Sequence, residues 1–386
     1  MQHGVRRVQW PLLALGVCCV VALPFLRHAR NRLISGQPIG IGAAGIAAPS
    51  AAAALALAAL LLLSPALWPC SQRARWTGLA GAGLTVAAGA ELAGRVASVL
   101  ADTTTSSSAR TSFGAGAWAL VACTLLLGSD TARRLRLSGW RGLAAAVLCL
   151  GPIALLLWSG GLGQLALLRE YAAQRGPFYT ALQQHLLLVA GALVPALLIG
   201  LPLGVASQRR ANLRRVAMPM LSIVQTIPSI ALFGLLIGPL SALSSAVPQL
   251  GIAGVGPAPA IIALVLYSLL PIVRNTLEGL DGVGPEVCDA ARGMGMTRSQ
   301  VFWRVEAWLA LPVVLSGLRV TTVQAVGLAS VSALIGAGGF GAIMFQGLFA
   351  NALDLVLLGA LPVIALAVLA DLAFRALGAW AQGTLA

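Results

Sequence analysis

Unbroken apolar stretches recur along this chain from end to end, with the polar residues gathered between them. A hydrocarbon core of about 30 Å takes roughly 20 helical residues to cross. The pattern predicts about ten such spans, near residues 8–26, 46–68, 77–100, 113–129, 142–160, 183–206, 217–240, 258–276, 307–335 and 354–378. The expected fold class is an all-α integral membrane protein. The chain changes character near residue 170. Residues 1–170 form an N-terminal extension of about five spans, rich in Ala, Leu and Gly, whose low-complexity stretch Ala51 to Leu63 is a helix former without chemistry. Residues 171–182 read as a polar outer linker, with Tyr171, Phe178 and Tyr179 as interfacial residues. Residues 183–378 carry the second set of spans, interrupted by a long polar loop at 277–306, and 379–386 are a short tail.

Composition agrees with a bilayer as solvent. With 59% hydrophobic and 9% charged residues and a mean hydropathy of +0.91, the chain lacks the polar surface that a water-soluble globule of this size needs. A net charge of +14 raises the question of nucleic acid, and the placing of the charge answers it. Arg209, Arg210, Arg214 and Arg215 share one loop, Arg133, Arg134, Arg136 and Arg141 another, and Arg274, Arg292, Arg298 and Arg304 a third. All three fall on the side of an N-terminus bearing Arg6 and Arg7, the positive-inside bias that places both termini in the cytoplasm. Arg27, Arg30 and Arg32, in the first outer loop, run against it. No Arg cluster is interleaved with aromatics on a soluble module, so no nucleic acid is expected as a partner. The first apolar stretch resembles a signal peptide, but no small-x-small site precedes Pro24 and Phe25, and it reads as a retained span.

The sequence contains no Lys. A GxxxxGK[ST] phosphate loop and a Schiff-base lysine are therefore both excluded, and if ATP drives this protein a partner chain binds it. Cys18, Cys19, Cys123 and Cys149 lie in spans and Cys70 and Cys288 in inner loops, as packed, reduced thiols. His3, His28 and His185 are too scattered for a metal centre, so neither a metal nor a catalytic residue is expected. Glu91 and Arg95, four apart, share a helix face and can pair; they mark the outer end of the third span, with a functional role as the alternative. The Thr103 to Ser108 run after them reads as a solvated outer loop.

The loop at 277–306 has its own local chemistry. Pro285 suits the first position of a helix, Glu286 and Asp289 favour its positive end, and Gly293 and Gly295 permit the left-handed backbone that stops it. Thr297 followed by Gln300 is a capping box, restarting a helix that runs into Val301, Val305 and Trp308. The result is a helix-turn-helix knob at the membrane surface; taken alone, the pattern also fits an ordinary amphipathic linker. Asp289, Ala290, Ala291, then Gly295, then Val305 resemble the EAA signature of binding-protein-dependent ABC importer permeases, with two departures. Asp289 stands for the usual Glu, and Trp308 stands where the first Leu-Pro would place its Pro, a second following at Leu311 and Pro312. Ser222 to Leu240 (SIVQTIPSIALFGLLIGPL), Leu266 to Thr276 (LYSLLPIVRNT) and Ala333 to Leu348 (ALIGAGGFGAIMFQGL) are similar to the glycine betaine, carnitine and choline branch of the same permeases.

The resemblance implies a type I importer permease core over 183–378 and an ATPase-coupling surface at Glu286, Asp289, Ala290, Ala291, Gly295 and Met296. It implies ABC ATPase subunits that bind ATP and Mg, a periplasmic solute-binding protein, a second permease that is either a copy or a homologue, and a place in the bacterial inner membrane. No cofactor is expected in this chain. A glycine betaine-like solute is the implied cargo, with another small solute such as an amino acid as the alternative. Independently, Pro228, Pro271 and Pro312 interrupt spans and free carbonyls. Gln225, Thr226, Ser229, Tyr267, Asn275, Thr321, Thr322 and Gln324 place neutral dipoles near those breaks, either lining a path for a diffuse cation or packing helices together. Gly336, Gly338, Gly339 and Gly341 around Phe340 cannot make a stable helix and read as a flexible outer turn or re-entrant segment able to open as a gate, with a tight loop as the plain alternative. A proton- or sodium-coupled transporter would need mid-membrane carboxylates, where the second half offers Asp354 and Asp371 near span ends. A non-transporting membrane partner stays open.

Overall fold

A computed structural model describes residues 2–31, 36–68, 71–103, 109–135, 140–250 and 253–383. Arg32, Cys70, residues 104–108 of the outer loop, Arg136 and residues 384–386 of the tail lie outside the described residues. Among the described residues, eight helices are long and apolar enough to cross a membrane, with shorter apolar helices at Gln9–Ala22, Ala144–Trp158 and Phe340–Phe349. The chain divides into two compact units, Met1–Ala173 and Gln174–Ala386.

The first unit runs α1 (Gln2–Ala22), β1 (Leu26–Ala29), β2 (Gln37–Ile39), α2 (Ile41–Ala47), α3 (Pro49–Leu67), α4 (Gln72–Thr103), β3 (Arg110–Phe113), α5 (Ala115–Leu135), α6 (Trp140–Trp158) and α7 (Ala166–Ala173). An antiparallel sheet in the order β2-β1-β3 is an addition to the all-helical expectation. Its polar residues alternate with apolar ones too briefly for the sequence to show it as a strand pattern. α4 is the hub, packed on α3, α5 and α6. Glycine makes that possible: a Cβ on Gly81 would lie 2.5 Å from the Leu62 nitrogen on α3, and one on Gly83 would lie 2.4 Å from the Leu148 carbonyl on α6. In lipid, such close backbone approach replaces the hydrophobic drive that water would supply.

The second unit runs α8 (Arg175–Arg209), α9 (Ala211–Thr226), α10 (Ser229–Ala246), α11 (Pro257–Asp281), α12 (Pro285–Gly293), α13 (Arg298–Val301), a π-helical turn at Phe302–Glu306, α14 (Ala307–Val331), α15 (Phe340–Phe349) and α16 (Leu353–Gly383). Here α11 is the hub, against α8 and α14, and α16 packs on α14 and α15. Residues 175–182, read as a linker, are the first turns of α8. The seventh span is not one helix: Ile227 and Pro228 are both extended, so α9 stops and α10 begins there. Pro271 and Pro312, by contrast, interrupt nothing, since α11 and α14 run through them. A proline inside a helix removes one hydrogen bond, and packed neighbours hold the rest. Asp371 lies well inside α16 rather than near its end, with its carboxylate bound to Arg319 of α14 (3.2 Å) and Arg375 (2.6 Å).

Candidate functional site

α12, α13 and the π-helical turn form an elbow between α11 and α14. Pro285 opens α12, and Glu286 stands in its first turn, where the helix dipole favours an anion. The stop is a Schellman motif. Met296 N–H donates to the Ala291 carbonyl (3.2 Å) and Gly295 N–H to the Arg292 carbonyl (2.9 Å), with Gly295 left-handed at φ +85°. Gly293, expected to share that role, is instead the last residue of α12 and is not left-handed. The capping box forms: Gln300 N–H donates to Thr297 Oγ1 (3.4 Å) and Thr297 N–H to Gln300 Oε1 (2.8 Å). From there the chain passes through the π-helical turn directly into α14.

This geometry gives the signature a physical meaning. The second alanine, Ala291, is 2% exposed and faces a small core with Cys288 and Val301, against which Val283, Met296 and Val305 pack. The glycine four residues on is the one position whose backbone needs φ > 0. Ala291, Gly295 and Met296 therefore build the turn, whereas Glu286, Asp289 and Ala290 are exposed. Asp289 pairs with Arg292 at 2.8 Å on the outer surface. Beside them stand two apolar residues that sequence reasoning missed, Val287 and Met294, the latter 72% exposed. Val287, Ala290 and Met294 follow helical spacing, the signal that would have found them. Together they leave an apolar stripe exposed on the knob. Burial, with the Glu306 carboxylate next, pushes the Cys288 thiol up, and its Sγ lies 3.6 Å from Glu306 Oε1.

The polar residues near the helix breaks are largely spoken for. Pro271 has no N–H for the Tyr267 carbonyl, four residues back; Gln225 Nε2 donates to that carbonyl at 2.8 Å. In return Tyr267 Oη donates to the Ile227 carbonyl, exposed by the α9–α10 break. The two residues brace the break reciprocally. Asn275 Nδ2 donates to the Pro271 carbonyl (2.7 Å) and its side chain packs on Gly317. Thr226, Thr321 and Thr322 bond carbonyls of their own helices. Thr226 and Pro228 are exposed and Ser229 half-buried at the break, while Gln324, half-buried on α14, makes no hydrogen bond among the described residues.

The glycine turn is built rather than loose. Gly336, Gly338 and Gly339 have φ of +78°, +80° and +74°. Gly339 N–H donates to Gln184 Oε1 (2.9 Å), and Gly256 N–H to the Ile335 carbonyl (2.9 Å). Phe340 and Gly341, expected outside any helix, open α15. Phe340 is buried against the rings of Phe178 (5.2 Å) and His185 (5.5 Å). Gly341 admits no side chain, because a Cβ would sit 1.8 Å from the Ser330 carbonyl. His185 is fully buried, and its Nε2 donates to the Val326 carbonyl (3.2 Å), which turns Nδ1 toward Gly339. Gln184 and His185 were not read as part of this turn; nothing local in the sequence links them to residues some 150 positions on.

Residues 196–382 match the family described as the binding-protein-dependent transport system inner membrane component, and residues 5–168 match the N-terminal domain of ABC transporter permease YehY. The osmoprotectant import permease OsmW of Salmonella typhimurium is 43% identical over 188 residues, 49% of this chain and 84% of that protein. The chain belongs to the binding-protein-dependent ABC importer permeases. OsmY of the same bacterium, also an osmoprotectant import permease, is 36% identical to this permease over 60% of the chain and 91% of its own length. The glycine betaine/carnitine/choline transport permease OpuCB of Bacillus subtilis is 36% identical over 49% of this permease and 81% of OpuCB. Among solved structures, an inward-facing MetNI methionine ABC transporter covers 53% of the permease and 95% of the matched chain, at 22% identity and a TM-score of 0.47. A permease of this family is embedded in the membrane as the transport component, and membership implies an ATPase and a solute-binding protein as partners.

Proposed function

We propose that this permease imports a small zwitterionic or quaternary ammonium osmoprotectant, of the glycine betaine type, across the bacterial inner membrane. Two ATPase subunits drive it through the elbow, a periplasmic binding protein delivers the solute, and a second permease, a copy or a homologue, completes the path. Both termini lie in the cytoplasm. ATP and Mg belong to the ATPase chain, and this chain makes and breaks no bond. The observation that carries the reading is the exposed stripe of Val287, Ala290 and Met294 on a knob fixed by a Schellman turn and a capping box. The knob is continuous with α14 through one turn, so displacing it displaces α14 against α11 and α8. Rocking of these helices around the braced α9–α10 break, with the glycine turn as outer gate, gives alternating access. The substrate class rests on the relatives and fits an uncharged α10.

Reconstitution with its ATPase and binding protein tests the proposal. Glycine betaine uptake is expected to require ATP inside the liposome's ATPase-bearing face and to ignore imposed proton or sodium gradients. Met294→Asp is expected to abolish both ATPase retention through detergent and uptake. Uptake by the lone chain on a sodium or proton gradient would overturn the reading.

A further inference from the structure

The N-terminal unit holds a groove of about 430 Å³ between α3, α4 and α6, walled by aliphatic side chains that include Leu57, Leu61, Leu84, Ala87, Pro152 and Leu155. At one end Glu91 and Ser159 replace the aliphatic wall. There Glu91 Oε1 accepts from Arg95 Nε (2.9 Å) and Nη2 (2.5 Å), and Arg95 Nη1 donates to Ser50 Oγ (3.0 Å). Ser50 is in the first turn of α3, and Ser159 follows the last residue of α6, Trp158, which is 88% exposed. Two of the three helices thus end at this level beside an exposed tryptophan, the mark of a membrane–water interface. An interface at that level would set the polar end among headgroups and run the aliphatic length into the hydrocarbon.

We propose that this groove binds one phospholipid whose zwitterionic headgroup carries a primary ammonium. Shape alone would not retain it, because aliphatic walls gain little from one hydrocarbon over another. The ion pair supplies the selection. Of the five guanidinium N–H groups of Arg95, three are used by Glu91 and Ser50, and two remain for a phosphate. Glu91 takes both of its bonds on Oε1, which leaves Oε2 to accept from an ammonium. A glycerol headgroup meets Glu91 without a cation, and a choline headgroup has no N–H to donate to it.

The full chain in nanodiscs of equimolar phosphatidylethanolamine, phosphatidylglycerol and phosphatidylcholine, ejected into a native mass spectrometer, tests the site. Retained phosphatidylethanolamine is expected to exceed each of the others about fivefold. Glu91→Gln with Arg95→Gln is expected to bring the ratio to that of the bath, and Ala54→Phe, at an exposed groove position, to remove the adduct with thermal unfolding unchanged. No enrichment, or an enrichment that survives both variants, overturns the proposal. So does an Ala54→Phe variant that loses a bound protein copy while its lipid ratio stays as before.

Discussion

Gly295 acts through its backbone alone, since no atom lies within 4 Å of where its side chain would begin. A β-branched residue there is held left-handed at a cost of about 1–3 kcal/mol, whereas Asn visits that region more readily. Gly295→Val is therefore expected to abolish ATP-driven uptake with membrane insertion intact, and Gly295→Asn to retain a measurable part of it. Cys288 makes a second prediction at this scale. Its raised pKa keeps the thiol protonated beyond the ordinary 9.0, so maleimide should label it more slowly than a denatured control at pH 8. The folded elbow holds that proton more tightly than the unfolded chain, so the stabilisation is whole at neutral pH and is lost as pH climbs through the folded pKa. The turn glycine was legible because glycine is the residue such a φ requires. The burial of Cys288 was not legible, since it depends on Val301 and Met296 folding back over it.

The elements show where reading prolines succeeds and where it stops. Pro228 breaks a span, because its neighbour is forced extended, but Pro271 sits in a continuous helix whose lost bond Gln225 replaces across the gap. Gln225→Leu and Tyr267→Phe should each destabilise the second unit by about 1–3 kcal/mol, the cost of a buried carbonyl left without its donor. The double variant should cost less than the sum if the brace acts as one unit. Thermal unfolding of purified variants in nanodiscs measures both. A pair of ordinary wall residues lining a water-filled path would give uptake defects with unchanged stability instead. At the glycine turn, Gln184→Ala removes the acceptor of the Gly339 N–H. Faster hydrogen exchange over 336–341, with α11 unaffected, is the expected result.

At the scale of the molecule, the charges inside the helices hold one another. Asp371 binds two guanidiniums, Arg319 of α14 and Arg375 one turn along its own helix, so its carboxylate ties α16 to α14. Asp371→Asn leaves two cations without their anion and should lower the unfolding temperature more than Arg375→Gln, which leaves the pair with Arg319 in place. The chain divides into two compact units with the break after Ala173.

Hydrophobic length, the positions of Arg and the absence of Lys determined by themselves that the chain lies in a membrane and binds no nucleotide through a lysine loop. The caps and the turn of the elbow were equally legible, because each is settled within a few residues by the backbone's own hydrogen-bonding needs. Tertiary structure alone decided which polar groups are spent on freed carbonyls, and that His185 and Gln184 clasp the glycine turn. Those outcomes depend on partners far apart in the chain, and no local pattern records which distant helix will supply them.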